Sequence, residues 1–246
     1  MSLSHSPQII TDGLVLCLDA ANGRSYPKTG TTWTDVSSTR TAKTYSFSLV
    51  NGASFDSANR GGIVFDGTND YAEFNGGLHD EFTTEEVTVC SFCQIGADVY
   101  KNSLFTFYGS TGDNDFSWHT FFLPCYRLSG SANNGVEQLF WNNTSGWEGG
   151  SNSVSDFDID KWYFLCWTIS GTTLKFYSDG VHHGTATLTN STNGKFNPRN
   201  EMARIARAAS SGEYGNGKIA NIFIYNRALE DSEILKNYLQ IKKRYK

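Results

Sequence analysis

The chain has 246 residues, 39% hydrophobic and only 18% charged, with 26 Ser, 23 Thr and 20 Asn. With 12 Tyr, 17 Phe and six Trp, that mix suits short strands joined by polar turns and excludes a coiled coil or a disordered chain. The net charge is −5, and the last eleven residues hold five Lys/Arg and no acid, so the remaining acidic body repels phosphate backbones; no run approaches the roughly 18 apolar residues of a membrane span.

The opening MSLSHSPQIITDG lacks the basic and apolar regions of a secretory signal. Residues 1–12 are read as an N-terminal arm and residues 13–246 as one domain. The segments GLVLCLDA (13–20), GGIVFDG (61–67), DYAEF (70–74), EEVTVCSFCQIG (85–96) and SLFTFYG (103–109) alternate or run apolar and predict strands. Residues 109–117 and 129–156 are polar and Gly-rich and predict loops. KWYFLCWTISG (161–171) predicts a central strand covered on both faces. Trp162, Phe164 and Cys166 would face one way, and Tyr163, Leu165 and Trp167 the other. TLKFYSDGVHHGT predicts a hairpin turning at Ser178-Asp179-Gly180. KIANIFIYN (218–226) is a further strand. Residues 229–243 then predict an amphipathic helix with Ile234, Leu235, Tyr238, Leu239 and Ile241 near one face. Its closing Lys242, Lys243 and Arg244 would complement the helix dipole.

Five cysteines, an odd number, are read as free thiols that pack like small hydrophobes. Cys90 and Cys93 would point to opposite faces of one strand, which does not make a metal or redox pair.

Three groups of residues carry candidate chemistry. Asp66, Asn69 and Asp70 offer oxygens at a Gly-containing turn, either to a calcium ion or to their own backbone. Asp156, Asp158 and Asp160 alternate, which on a strand would put three carboxylates on one face. Retaining glycosidases need two carboxyls about 5–5.5 Å apart, and strand neighbours i and i+2 lie roughly 6.7 Å apart at the backbone. Trp118, Tyr126, Trp141 and Trp147 lie among Asn, Ser and Gly, where aromatic rings make platforms for sugar faces or cap the core edge. The adjacent His182 and His183 sit near the hairpin tip and predict exposure. The Asn-x-Ser/Thr sequons at Asn142, Asn143 and Asn190 read as Asn-rich loops.

Four blocks in order resemble the laminin-G-like members of the concanavalin A-like lectin/glucanase superfamily. They are GLVLCLDAANGRSYPKTGTTWTDVSS (13–38), GGIVFDGTNDYAEF (61–74), residues 161–185, and GKIANIFIYNRALEDSEILKNYLQIKKRY (217–245). FDGTNDY and IYNRAL followed by a helix are the most specific. SYPKTGTTWTDVSS is similar to a subgroup common in tailed-phage virion proteins. The resemblance implies an all-β, two-sheet antiparallel jelly-roll sandwich with a C-terminal amphipathic helix. It also implies a non-catalytic module, often with calcium near the sheet edge. Asp66 and Asp70 fall on the family's turn, and Asn221 stands where many relatives carry an acid. The functional expectation is a virion structural or decoration protein. It would bind neighbouring virion subunits and host-surface glycans, with Trp118, Tyr126, Trp141 and Trp147 at the sugar site, and form homo-oligomers on the particle. Alternatives are a carbohydrate-binding adhesion module and a jelly-roll glycoside hydrolase.

Overall fold

The computed structural model describes residues 9–37, 43–96, 104–108, 120–127, 135–142, 146–148, 154–155, 158, 160–187, 202–207 and 214–245. Between 107 and 155 it describes backbone only. In chain order the strands are β1 (Leu14–Asp19), β2 (Thr32–Thr34), β3 (Ser46–Val50), β4 (Ser54–Asp56), β5 (Gly62–Asp66), β6 (Tyr71–Asn75), β7 (Glu86–Ile95), β8 (Phe105–Tyr108) and β9 (Thr120–Arg127). There follow β10 (Gly135–Asn142), β11 (Gly146–Glu148), β12 (Val154–Ser155), β13 (Trp162–Ser170), β14 (Thr173–Ser178), β15 (Val181–Thr187), β16 (Met202–Ile205) and β17 (Asn216–Tyr225). One α-helix, α1 (Asp231–Lys242), comes after them.

The strands form two antiparallel sheets. Sheet A runs β15-β14-β13-β7-β17-β5-β4, with β1 also on β17. Sheet B runs β11-β10-β9-β8-β16-β6-β3-β2, with β12 also on β10. The sequence reading of a two-sheet antiparallel sandwich with a C-terminal helix is what the structure shows.

The central strand shows why the layers stack. In β13, Leu165 and Trp167 enter the core between the sheets, with Tyr163 packed against it. Phe164 and Cys166 enter a second core on the outer side of sheet A, joined by Trp162. β7 divides in the same way. Val87, Val89, Cys93 and Ile95 face sheet B, whereas Cys90 and Phe92 face outward. Cys90 and Cys93 therefore lie in different cores. Cys17, Cys90, Cys93 and Cys166 are buried free thiols, and burial pushes Cys93 up to about 12. A thiol held protonated is inert as a nucleophile.

The β14–β15 hairpin turns at Asp179 (φ 51°) and Gly180 (φ 79°), the left-handed pair that a two-residue turn requires. Asp179 also accepts the Phe164 N–H at 2.9 Å.

Two expectations change. Residues 129–156 are not simply a loop, because β10, β11 and β12 lie within them; tertiary pairing overrides their weak local preference. The helix also rolls differently from the reading. Ile234, Asn237, Tyr238 and Ile241 are buried, while Leu235 (42% exposed) and Leu239 (46%) face outward. The face is set by the outer core of sheet A, where Asn237 has a buried polar partner.

Candidate functional site: the outer face of sheet B

The outer face of sheet A is closed by the chain itself. The IYNRAL segment turns β17 into α1 through a set of fixed bonds. Thr88 Oγ1 accepts the Leu229 N–H and donates to the Arg227 carbonyl, both at 2.8 Å. Arg227 grips Glu233 through two nitrogens at 2.7 Å each. Glu230 and Glu233 complete a capping box at the helix start. The Tyr225 hydroxyl donates to the Ile10 carbonyl (3.0 Å) and accepts from Asn237 Nδ2 (3.0 Å), whose Oδ1 accepts the Ile10 N–H (2.8 Å). Residues 9–12 thus sit against β17 and α1. After the helix, Tyr245 stacks on Phe92 (4.5 Å between ring centroids), and Phe92 stacks on Trp162 (5.3 Å).

The outer face of sheet B has a different character. Alternation in β2 and β3 sends Trp33, Phe47 and Leu49 into the core and leaves Thr32, Ser46 and Ser48 exposed. In β6, Ala72 is a core residue, so Tyr71 and Glu73 take the outer face. In β16, Ala203 and Ile205 are core, and Arg204 pairs in register with Glu73 and Thr106. Arg204, only 7% exposed, lies 3.5 Å from the Glu73 carboxylate and 5.8 Å from the Tyr71 ring centre. Arg207 stands over the same ring at 4.5 Å and over Tyr214 at 5.2 Å. Two arginines three apart on a regular strand would take opposite faces. Ala206 between them has φ 58°, and that left-handed residue brings both onto one side. The result is a packed cluster of two tyrosine rings, two guanidiniums and a carboxylate, in which Tyr71 (9% exposed) and Arg204 are buried and Arg207, Tyr214 and Glu73 are partly exposed. Its partly exposed members can offer a ring, donors and an acceptor to a polyhydroxylated ligand.

The sequence reading missed this cluster, since Arg204, Arg207 and Tyr214 were not singled out. The available signal was the run Met202–Arg207, in which Arg recurs every third residue among small or apolar ones.

The aromatic candidates divide. Trp141 and Trp147 are directly opposed register partners on β10 and β11. Counting back through Leu139↔Leu123 and Thr106↔Phe121 places both on the face shared with Thr106 and Arg204. They are strand positions and not loop positions. Tyr126 pairs with Val136, which puts it on the opposite face. Trp118 lies outside the described residues.

Asp66, Asn69 and Asp70 form a self-bonded turn. Asp66 Oδ1 accepts the N–H groups of Thr68 (2.8 Å), Asn69 (3.2 Å) and Asp70 (3.4 Å), and the first of these chiefly holds its pKa low. Asp70 is 6% exposed; burial, then the Asp66 charge, pushes its carboxyl up. Among the described residues, no group of three or more His, Cys, Asp or Glu side chains is placed to hold a metal. Calcium needs six to eight oxygens, and an Asp66 oxygen committed to three N–H groups plus a buried Asp70 do not fit that demand. Asn221 is fully buried in sheet A, where its Oδ1 accepts the Phe92 N–H at 3.1 Å.

Neither Asp158 nor Asp160 lies on a strand. Asp160 has φ 66° and its N–H bonds the Ile95 carbonyl (2.9 Å). Asp158 is ion-paired to Lys161, and its N–H bonds the Tyr163 hydroxyl (2.9 Å). Asp156 lies outside the described residues. The left-handed turn at Asp160 removes the alternation on which the paired-carboxyl reading stood.

A two-sheet antiparallel jelly roll with a helix closing one layer defines a lectin-like class of β-sandwich. Residues 66–235 match the Laminin_G_3 family model of the concanavalin A-like lectin/glucanases superfamily, and the chain belongs to that family. A search of curated protein sequences returned no relative. Among solved structures, it is similar to domain 4 of AbnA, a GH43 extracellular arabinanase from Geobacillus stearothermophilus, in complex with arabinotriose. There the TM-score is 0.63 at 14% identity, covering 92% of this chain and 98% of that one. It is also similar to Trypanosoma rangeli sialidase (TM-score 0.60, 16% identity, 94% of this chain and 33% of that one). The receptor binding domain of botulinum neurotoxin C/D mosaic serotype gives a TM-score of 0.63 at 14% identity, covering 94% of this chain and 52% of that one. At these identities the likeness is one of fold. The chain spans about a third of the sialidase and half of the toxin domain.

Proposed function

We propose that this domain is a non-catalytic, lectin-like module that binds glycans across the outer face of sheet B. The observation that carries this reading is the cluster in which the partly exposed Arg207, Tyr214 and Glu73 pack on the buried Tyr71 and Arg204, on the same face as Trp141 and Trp147. Aromatic faces stack on sugar rings, and the Arg and Glu side chains bond hydroxyl groups. The arabinanase domain in complex with arabinotriose has the same fold, which supports a sugar as the ligand. The resemblance of SYPKTGTTWTDVSS to tailed-phage virion proteins extends the proposal to a virion surface, where the module would join neighbouring subunits.

A glycan array followed by titration calorimetry tests the site. The Trp141→Ala/Trp147→Ala and Arg207→Ala variants are expected to lose tenfold or more in affinity, with unchanged melting curves; each tenfold is about 1.4 kcal/mol. Binding unaffected by all three substitutions overturns the site. A protein that binds no glycan overturns the glycan reading and leaves assembly with virion subunits, tested by co-purification with particles. Release of reducing sugar from any polysaccharide would overturn the non-catalytic assignment.

A further inference from the structure

The large hydrophobic side chains exposed among the described residues are three: Val181 (58%), Leu235 (42%) and Leu239 (46%). They are neighbours. Leu235 and Leu239 are one helical turn apart on α1. Gly180, beside Val181, sits so close to the helix that a Cβ there would lie 2.9 Å from Leu235 Cδ1. Single exposed leucines need no explanation, but apolar side chains that adjoin one another on the surface mark a contact site.

The charges along this row say what fits it. At i, i+4 spacing the row reads Asp231, Leu235, Leu239, Lys243, and all four are exposed. The Asp231 side chain is 64% exposed even though it accepts from Tyr177 (2.7 Å) and lies 3.7 Å from Lys175. The order is acid, leucine, leucine, base. Turned end over end, the same row reads base, leucine, leucine, acid. A two-fold axis midway between Leu235 and Leu239 would set each Asp231 opposite the Lys243 of the mate, and each Leu235 opposite a Leu239. Ser232 would meet the exposed Lys242, which adds no repulsion.

We propose that a second copy of this chain docks on this stripe, helix against helix and antiparallel, forming an isologous dimer. Such a surface is complementary to itself and to few others. The area is small for a permanent interface, so the association is weak and concentration-dependent. It leaves the outer face of sheet B, on the other layer, free in both copies, and does not depend on the glycan reading.

Sedimentation velocity over a dilution series of the full chain tests the proposal. The unmodified protein is expected to shift from monomer to dimer with rising concentration, and Leu239→Glu to remain monomeric. Asp231→Lys and Lys243→Asp should each lose association alone, because like charges then face each other. An equal mixture of those two variants should regain it, since a doubly basic stripe on one copy then faces a doubly acidic stripe on the other. A second readout does not rely on charge reversal at a helix end. When Leu235→Cys and Leu239→Cys proteins are mixed under mild oxidation, they should form the mixed disulfide in preference to either like pair. A protein monomeric throughout, an association indifferent to Leu239→Glu, or preferential coupling of two Leu235→Cys chains to each other overturns the proposal. A monomer that binds anionic vesicles through the stripe also overturns it.

Discussion

Arg244 closes its guanidinium on the Asp19 carboxylate at 2.6 and 3.3 Å, joining the segment after α1 to the end of β1. Asp19 is 6% exposed, and the Ser25 hydroxyl accepts its backbone N–H at 3.0 Å. The basic residue assigned from sequence to the helix dipole instead neutralises a buried acid some 225 residues away.

Removing one partner of such a pair leaves the other charge without compensation. Arg244→Met is therefore expected to cost about 3 kcal/mol in urea unfolding. Adding Asp19→Asn should recover part of that loss, because the stranded charge is then gone. Losses that simply add would show that the two groups act separately.

The roll of α1 separates two substitutions that sequence alone would rank together. Ile241 is fully buried and Leu239 is not. Ile241→Ala should cost about 2–5 kcal/mol, whereas Leu239→Ala in dilute protein should stay within about 0.5 kcal/mol. Equal losses would mean that the helix docks by its other face.

Asp35 is a buried organiser. Its Oδ1 accepts the N–H groups of Cys17 and Ser37, both at 2.8 Å, and its Oδ2 takes the Ser37 hydroxyl at 2.7 Å. Asp35→Ala leaves two buried N–H groups unmet, for a loss of about 3 kcal/mol. Asp35→Asn keeps an acceptor and should lose less than about 1 kcal/mol at neutral pH. Burial raises this carboxyl above its ordinary value, so the native state keeps the proton to higher pH than the unfolded chain does. Ionisation there opposes folding as pH rises through the folded value. The deficit of Asp35→Asn should therefore shrink between about pH 4 and about pH 7, as read from urea midpoints.

Glu233 has the opposite sign. The hydrogen bonds from Arg227 hold its carboxyl below the usual range. Its contribution is fully present above the ordinary Glu value, about 4.3, and fades as pH falls through the depressed folded value. The Arg227→Met variant should be less stable at neutral pH and should lose less further stability on acidification. A parallel pH profile for the two proteins would detach this pair from acid unfolding.

Much of the fold was legible because it is written in local periodicity. The two-residue alternation of Trp162–Trp167 assigned each side chain to the correct core, and Asp179-Gly180 announced its own turn. The edge of sheet B was less legible. β10 and β11 run through Asn- and Gly-rich sequence whose strand character comes from pairing with β9. The candidate site was split for the same reason. Trp141 and Trp147 were visible as aromatics, but only register places them on one face and Tyr126 on the other. Arg204 and Arg207 share a side only through the backbone of Ala206.

By itself, then, the sequence determined the alternating strands, the terminal helix, the Asp66 turn and the family to which the chain belongs. These follow from neighbours in the chain, whose side-chain periods and turn residues act over a few positions. Tertiary structure alone decided which face of α1 was buried, which acid Arg244 would meet, and which residues would share the outer face of sheet B. Those outcomes depend on contacts between segments far apart in sequence, and they are fixed only when both layers pack.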